Sequence, residues 1–328
     1  MSFLLFLFFS TLIIARSASP WPPSALAAAA AAAAALSASE RLALLYGIGG
    51  WNNHPNPYPW KTYVGVANGS IRTGMISLFT EDGPQGVADG VLNVTAFPCA
   101  LAVAATFDRS AALAFGIAMG AEQHAKGTNV LLGPDVNLAR VPWGGRVFES
   151  YGEDPVLAAV IAASVITGIQ SQNVSAVVKH LAENAFDAAV QNVSMNVNRR
   201  THKQLYMHAF CAAVDAGVGY AMCAYNRNNG THACENPALI ADLKVGCGFA
   251  GGLMSDWFAT HSGLPAALAG LDLEMPGTQG YFNETLAAAW AAGELPDSRL
   301  DDMVRFCLLV VVSASKVKCR ARVNATRR

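Results

Sequence analysis

The stretch Gly252-Leu-Met-Ser-Asp-Trp257 decides the fold, because it is a short apolar segment that ends abruptly in a carboxylate and an indole. Short apolar segments of the same kind recur along the chain, and each is typical of a β-strand. They are Met75–Phe79, Asn129–Leu132, Ala176–Lys179, Gly219–Cys223 and Leu271–Leu273. Together with Gly252–Met254, they predict a sheet whose strands are spread over most of the sequence.

Helical stretches lie between most of these strands, and two more close the chain. They are Arg109–Ala125, Pro155–Gln170, Thr201–Ala216, Pro237–Leu243, Leu264–Ala269, Asn283–Ala292 and Leu300–Val312. Strands that alternate with helices predict the α/β class, with a parallel sheet covered by helices. Because about 250 residues follow this alternation, we expect a single-domain (β/α)₈ barrel of the TIM type.

A doubly wound open sheet is the alternative fold. It would place a glycine-rich phosphate-binding turn directly after the first strand. The run Gly47-Ile-Gly49-Gly50 follows a helical pattern instead, and no Gly-Lys-Ser/Thr sequence occurs in the chain. The sequence therefore favours the barrel and argues against nucleotide binding.

The first residues have the pattern of a secretory signal. Phe3 to Phe9 is wholly apolar, Leu12 to Ile14 extends the run, and small residues follow it. A run of this length is too short to span a bilayer comfortably, so we expect a signal peptide over residues 1–18 and no stable membrane span. No basic residue precedes Arg16, which keeps an uncleaved anchor as the alternative.

Two further features indicate a secreted, extracellular protein. Asn-x-Ser/Thr glycosylation sequons begin at Asn68, Asn93, Asn173, Asn192, Asn229, Asn283 and Asn324. Of the seven cysteines, Cys223 and Cys234 flank a turn that contains Asn-Gly, so a local disulfide is expected in an oxidising compartment. Two buried free thiols are the alternative.

The remaining chain divides by composition. Residues 19–36 contain the unbroken alanine run Ala27–Ala35, which offers no amphipathic face and is interpreted as a low-complexity spacer. Ser37 and Glu40 form a capping-box pattern at the start of a short helix. We therefore assign the barrel to residues 37–312 and a basic tail to residues 313–328.

Composition excludes several classes of function. Hydrophobic residues make up 53% of the chain and charged residues 14%, and the formal net charge is -1. This balance gives no electrostatic basis for binding nucleic acid or an anionic membrane. No CxxC or Cys/His cluster has zinc-binding spacing, so we expect neither a metal nor another cofactor.

Polar side chains directly follow the predicted strands. In a barrel these positions meet at the C-terminal rim, where ligands bind. They are Asp82, Asp135, Asn137, Lys179, His180, Tyr225, Asn226, Asp256, Trp257 and Glu274. Carboxylates and cations can hydrogen-bond the hydroxyl groups of a sugar while aromatic rings cover its apolar face. This constellation suits a neutral polyol better than a phosphate or a hydride acceptor.

Met254-Ser255-Asp256-Trp257 resembles the nucleophile motif of family 3 glycoside hydrolases, β-glucosidases in particular. The resemblance extends from about Ser39 to Val312, and further blocks carry it in order. These are Asp82-Gly-Pro84, Leu132-Gly-Pro134, Arg140-x-Pro142-x-Gly-Gly-Arg146, Gly152-Glu-Asp-Pro155, Lys179-His180, Met222-Cys-Ala-Tyr225-Asn226, Cys234-Glu-Asn236 and Met275-Pro-Gly277.

The resemblance implies a role for single residues. Asp256 matches the nucleophile that forms a covalent glycosyl-enzyme and retains anomeric configuration. Asp82 matches a carboxylate that binds sugar hydroxyls, and Arg140, Lys179 and His180 match cationic and imidazole contacts to the same ring. Tyr225 matches a tyrosine beside the nucleophile, and Trp257 matches an aromatic wall.

The chain also departs from the family pattern. Two-domain members take their acid/base glutamate from a second domain after the barrel, and this chain stops about where that domain would begin. We therefore expect a second domain or chain to supply the acid/base, with Glu183 and Asp187 as the candidates within this sequence. Ala88 stands where many relatives have Arg.

Three functions follow from the resemblance. The first is hydrolysis of terminal β-linked glucose from a β-glucoside or short β-glucan oligosaccharide. The second is a sugar-binding barrel without turnover. The third is a β-xylosidase-like or N-acetylglucosaminidase-like hydrolase, although the run from Gly144 to Pro155 leans toward the glucosidase type.

Overall fold

The computed structural model describes residues 23–48, 63–70 and 72–314. The expected signal peptide at 1–18 and nearly all of the basic tail lie outside these residues. Within them, no helix combines the length and apolarity that crossing a membrane requires.

One sheet of six strands carries the architecture, and a second sheet of three short strands lies beside it. The strands of the described residues are β1 Gly65–Ala67, β2 Leu78–Asp82, β3 Val130–Leu132, β4 Ser175–Leu181, β5 Ser194–Met195, β6 Tyr220–Cys223, β7 Arg227–Asn228, β8 Thr231–His232 and β9 Gly252–Ser255. The large sheet has the order β1-β2-β3-β4-β6-β9. Its neighbours are parallel, except that β1 is antiparallel to β2.

Single bridges continue the pairing beyond both edges of this sheet. Met254 of β9 bridges Leu273, Glu274 bridges Tyr46, and Gly47 bridges Ala67 of β1. The sheet therefore curls, which confirms the α/β class and a TIM-barrel-like course. The segment Leu271–Leu273, predicted as a strand, contributes one bridge and no strand.

Helices cover the outside of the curled sheet. They are α1 Pro23–Ala34, α2 Ala38–Ala43, α3 Ala100–Ala104, α4 Arg109–Lys126, α5 Pro155–Gln170, α6 Arg199–Thr201, α7 Met207–Asp215, α8 Pro237–Ala241, α9 Leu264–Ala269, α10 Leu286–Ala291 and α11 Asp297–Ala314. Asp108 and Asp154 cap α4 and α5 through their side chains. Gly116 of α4 and Gly168 of α5 leave no room for a Cβ atom against the facing backbone, so these two helices pack closely.

The alanine run, interpreted from the sequence as a spacer, forms most of α1. Ala25, Ala29 and Ala33 recur every four residues and are buried, and α1 packs against α11. Methyl side chains present little apolar area, but they let two helices approach closely. α1 therefore packs against α11 although its apolar and polar faces differ little in hydrophobicity.

Asp272 is a buried carboxylate that connects three separate segments of the barrel by hydrogen bonds and ion pairs. Its carboxylate is fully buried and accepts from Lys244 at 2.7 Å, from Arg299 at 2.8 Å and from the backbone N–H of Leu253 at 2.9 Å. Because two cations and a backbone donor compensate the buried charge, the residue fixes the segment after α9 against β9.

Two disulfides connect four of the six described cysteines. Cys223 bonds to Cys234, which confirms the predicted local bridge, and Cys211 of α7 bonds to Cys247. The second pair is separated by 36 residues and had no local signal in the sequence. Cys99 and Cys307 are free.

Replacing Asp272 by Asn leaves Lys244 and Arg299 buried without their shared anion. We expect the free energy of unfolding to fall by about 3 kcal/mol, measured by denaturant titration. The control is Asp302→Asn, which breaks the half-exposed Asp302–Arg305 pair and is expected to cost less than about 1 kcal/mol. Equal losses in both variants would contradict the bridging role of Asp272.

Candidate active site

The carboxyl ends of the parallel strands enclose a cleft of about 400 Å³. The wall contains six of the seven residues to which the family resemblance gave a role, which are Asp82, Lys179, His180, Tyr225, Asp256 and Trp257. Asp82 ends β2, Lys179 and His180 lie near the end of β4, and the others follow β6 and β9. A parallel sheet brings these positions together because its strands all end at the same rim.

Asp256 is buried, and hydrogen bonds of its backbone N–H and of one carboxylate oxygen fix its position. Its N–H donates to the carbonyl of Cys223 at 3.1 Å, and Oδ1 accepts from the N–H of Trp257 at 2.7 Å. The other oxygen, Oδ2, is 3.5 Å from Nε2 of His180 and makes no hydrogen bond of ordinary geometry among the described residues, although the Tyr225 hydroxyl is close enough to interact with the carboxylate. A fixed carboxylate with one unsatisfied oxygen is suited to act on a bound group.

His180 is held from its other side by residues that follow β3. Asn137 accepts from the His180 N–H and donates to its carbonyl, both at 2.9 Å, and Oδ2 of Asp135 is 3.5 Å from Nδ1. Burial, and next the guanidinium of Arg146, hold the pKa of His180 well below its ordinary value. The imidazole is therefore neutral at physiological pH. Asp135 was predicted at the rim but was given no role, although the Asp-x-Asn pattern after a strand was a usable signal.

Lys179 is a cation in β4, all seven residues of which are buried. Its Nζ lies 3.8 Å from Oδ1 of Asp82 and 3.9 Å from Oε2 of Glu149. Glu149 also receives two hydrogen bonds of 2.9 Å from Arg146. Burial raises the pKa of Asp82, and the charge of Lys179 opposes that rise. The cleft thus offers charged donors and acceptors side by side, as hydroxyl groups require.

Arg140 lies apart from the other predicted residues. It is exposed and lines a neighbouring cavity of about 500 Å³ together with Phe186, Asn198 and Tyr206. Arg146 lines the cleft instead, because a 3₁₀ turn at Val147–Glu149 brings its carboxylate partner beside it. Arg140 and Arg146 are six residues apart in an irregular segment, and the sequence does not show which of the two side chains enters the cleft.

The two aromatic residues flank Asp256. Trp257 is buried and donates from Nε1 to the carbonyl of Val64 at 3.3 Å, which fixes its ring in the wall. Burial, followed by the charge of Asp256, raises the pKa of the Tyr225 hydroxyl far above its usual range. Tyr225 therefore remains a neutral donor next to the carboxylate.

The two candidate acids have different environments. Glu183 is buried and satisfied by His202 at 2.7 Å and Asn228 at 2.8 Å, away from the cleft wall. Asp187 lines the cleft, and its pKa is raised by burial and lowered in part by Arg146. Of these two, Asp187 alone reaches the space where a ligand would bind.

Glu81 is buried next to Asp82, on the opposite side of β2 from the cleft. Its carboxyl group is fully buried and adjoins Asp89. Burial, and next the Asp89 carboxyl, raise the pKa of Glu81 to about 10. Glu81 is therefore protonated in the folded chain at neutral pH. Among the described residues, no group of three or more His, Cys, Asp or Glu side chains is placed to hold a metal.

Comparison with known proteins identifies what this arrangement resembles. Residues 61–310 match the model of the Glycosyl hydrolase family 3 N terminal domain. Probable beta-glucosidase J of Aspergillus fumigatus is 39% identical over 288 residues, which cover 86% of this chain and 32% of that protein. Probable beta-glucosidase L of Emericella nidulans is 42% identical over 237 residues, covering 70% and 32%. The chain thus spans about a third of these curated relatives.

Solved structures give the same result. The beta-glucosidase D2-BGL from Chaetomella Raphigera superposes with a TM-score of 0.82 at 36% identity, covering 89% of this chain and 41% of that one. Beta-glucosidase 3B from Thermotoga neapolitana in complex with glucose gives 0.81 at 32% identity, covering 88% and 42%. Both solved structures are therefore similar to this chain in fold and in sequence.

The raised pKa of Glu81 makes stability depend on pH. Below pH about 4.5 both the folded and unfolded chains hold this proton, whereas above it only the folded chain does, up to pH about 10. The contribution of Glu81 to stability is therefore lost as the pH rises through this range. We expect Glu81→Gln to gain stability relative to the parent chain by up to about 1.4 kcal/mol per pH unit. Denaturant titrations at low, neutral and high pH within that window measure the difference, and a constant difference would contradict a neutral Glu81.

Proposed function

The chain belongs to glycosyl hydrolase family 3, and on this premise we propose that it hydrolyses terminal non-reducing β-D-glucosyl residues by a retaining mechanism. The relatives named above are beta-glucosidases, and one solved relative holds glucose. We further propose that the curled sheet is a complete (β/α)₈ barrel assigned to residues 37–312.

The observation that carries the proposal is the Oδ2 oxygen of Asp256, which makes no hydrogen bond of ordinary geometry among the described residues. It belongs to a buried carboxylate at a strand end, in the wall of a cleft that also contains Asp82 and Lys179. In the proposed reaction this oxygen attacks the anomeric carbon, and the bond to the leaving oxygen breaks. Water then attacks the same carbon and releases Asp256, so that two inversions retain the configuration.

The surrounding residues receive roles that follow from their chemistry. Asp82, Lys179 and Arg146 are proposed to bind sugar hydroxyls, with Arg146 taking the place that we first gave to Arg140. Nδ1 of neutral His180 faces the Asn137 and Asp135 side-chain oxygens and donates on that side, so Nε2 can accept from a sugar hydroxyl. Tyr225 can donate to the Asp256 carboxylate. Trp257 supplies the apolar surface for one face of the ring.

The leaving oxygen requires a proton, and the source of that proton is a separate proposal. Since the chain spans about a third of its curated relatives, we propose that a second domain or polypeptide supplies the acid/base. Asp187 is the alternative within the cleft, supported by its position and by the upward shift of its pKa.

Secretion is proposed from three sequence and structural features. The apolar run at residues 3–14 and the seven sequons fit passage through a glycosylating compartment. The two disulfides fit an oxidising one.

Asp256→Asn removes the nucleophile without changing the shape of the side chain. We expect kcat/KM for an activated aryl β-glucoside to fall by about 10³-fold or more. The exposed Asp215, at the end of α7, provides a matched Asp→Asn control that should retain activity. An aryl 2-deoxy-2-fluoro-β-glucoside should add its glycosyl mass to Asp256 in the parent chain, read by peptide mass spectrometry. Full activity of Asp256→Asn would remove the basis of the retaining mechanism.

If the acid/base is supplied from outside this chain, hydrolysis by the chain alone should depend on a good leaving group. Because general acid catalysis contributes about 10²- to 10⁴-fold, we expect an aryl β-glucoside to exceed cellobiose in kcat/KM by at least about 10²-fold. Asp187→Asn should leave this ratio unchanged. A selective loss on cellobiose in that variant would instead identify Asp187 as the acid. Binding of both sugars without any release would favour the sugar-binding barrel.

A further inference from the structure

Two partly buried histidines lie face to face outside the cleft. The rings of His232 and His261 are stacked, with their centroids 3.6 Å apart and their planes inclined by 26°. His232 ends β8, and His261 belongs to the chain that follows β9. Neither residue lines the cleft, and neither has a part in the proposed reaction. The stack therefore joins two segments of the chain at a distance from the sugar site.

These two segments begin at residues of the cleft itself. The Tyr225 segment runs from Tyr225 through β7 and β8 to Glu235, and the Asp256 segment runs from Asp256 to Ser262. A second contact joins them, because the hydroxyl of Ser262 donates to Oε2 of Glu235 at 2.5 Å. The stack and this hydrogen bond together restrain how far the two segments can move apart.

His232 is connected to Tyr225 by short contacts. It pairs with Arg227 across the β7–β8 ladder, and Arg227 is two residues after Tyr225. Nε of Arg227 donates to Nε2 of His232 at 3.2 Å, and the backbone of Tyr225 is close enough to His232 to influence its pKa. The His232 ring is therefore anchored in the Tyr225 segment, while its face meets His261 of the Asp256 segment.

The bond from Arg227 requires a neutral imidazole. A guanidinium only donates, so Nε2 of His232 accepts and carries no proton. Protonation of this nitrogen would set two N–H donors against each other and place a second cation beside Arg227. The contact therefore exists in only one of the two protonation states of His232.

The charged groups around the stack favour the neutral state. Burial, followed by His261 and Arg227, lowers the pKa of His232, and Glu235 opposes that shift. Burial also lowers the pKa of His261, with Glu235 opposing the shift and Arg227 adding to it. Because both values are lowered on folding, the contribution of the stack to stability is present above about pH 6.5 and is lost as the pH falls.

We propose that the stack of neutral His232 on His261 positions Asp256 against Tyr225, and that protonation of the stack sets the acid limb of the pH dependence of hydrolysis. The inference rests on the proposed function and adds two positioning residues to it. In acid, His232 loses its bond from Arg227 and the two segments separate. Because no contact to the sugar is lost, the change slows attack by Asp256 more than it weakens substrate binding.

His232→Ala removes both the stack and the acceptor for Arg227. At neutral pH we expect kcat for the aryl β-glucoside to fall by about tenfold, with KM changed by less than about twofold, because a small displacement of an attacking group slows the chemical step. His208→Ala makes the same change at an exposed position of α7 and should leave both constants unchanged. An unchanged kcat in His232→Ala, or a loss confined to KM, would overturn the proposal.

His232→Phe keeps a flat ring over His261 but cannot take up a proton. We expect this variant to recover kcat at neutral pH to within about threefold of the parent chain, since the stack is retained. Its acid limb should move to lower pH by about half a unit or more, toward the range in which Asp256 itself takes up a proton. An acid limb at the same pH as in the parent chain would contradict the role of His232 protonation.

A measurement on the unliganded chain separates this inference from the proposed function. If the glucoside is not hydrolysed, the hydrolase proposal fails, and the coupling is still tested by NMR of ¹³C-labelled histidine and tyrosine rings. We expect the ring signals of Tyr225 to shift over the pH range in which His232 titrates, and to lose this shift in His232→Phe. Tyr225 signals that do not follow the His232 titration would overturn the inference while leaving the hydrolase proposal in place.

Discussion

The buried ammonium of Lys179 is the constraint on which the cleft depends. β4 carries this charge into the barrel, where it is 3% exposed, and removal from water costs several kcal/mol unless anions compensate it. Asp82 at 3.8 Å and Glu149 at 3.9 Å supply that compensation from two other segments, and Arg146 fixes Glu149. Both distances exceed hydrogen-bond length, so the ion pairs position the ammonium and leave its donors for a ligand.

Much of the site was predictable because parallel strands end at a common rim. Asp82, Lys179, His180, Tyr225 and Asp256 each stand at or just beyond the end of an apolar strand segment, and that adjacency is visible in the sequence. The α4, α5 and α9 helices were also predictable, since capping aspartates, a proline at the first turn or a terminal glycine mark their ends.

The features that sequence reasoning missed depend on contacts between distant segments. Arg146 rather than Arg140 enters the cleft because of a turn whose direction no local pattern encodes. The same holds for the Cys211–Cys247 disulfide and for β1, which is short and lies antiparallel to its neighbour. The alanine helix α1 was interpreted as a spacer because amphipathicity compares the hydrophobicity of opposite helix faces, which is similar in an alanine run. The packing of α1 on α11 depends instead on the small size of the alanine side chains.

The balance of charge in the cleft restricts what can bind there. Asp82, Asp187 and Asp256 line it against Lys179 and Arg146, while His180 is kept neutral by its burial. An anionic ligand would meet carboxylates at both ends of the cleft, and like charges brought together in a partly desolvated site cost several kcal/mol. A neutral polyol avoids that repulsion and can donate to the carboxylates while accepting from the cations.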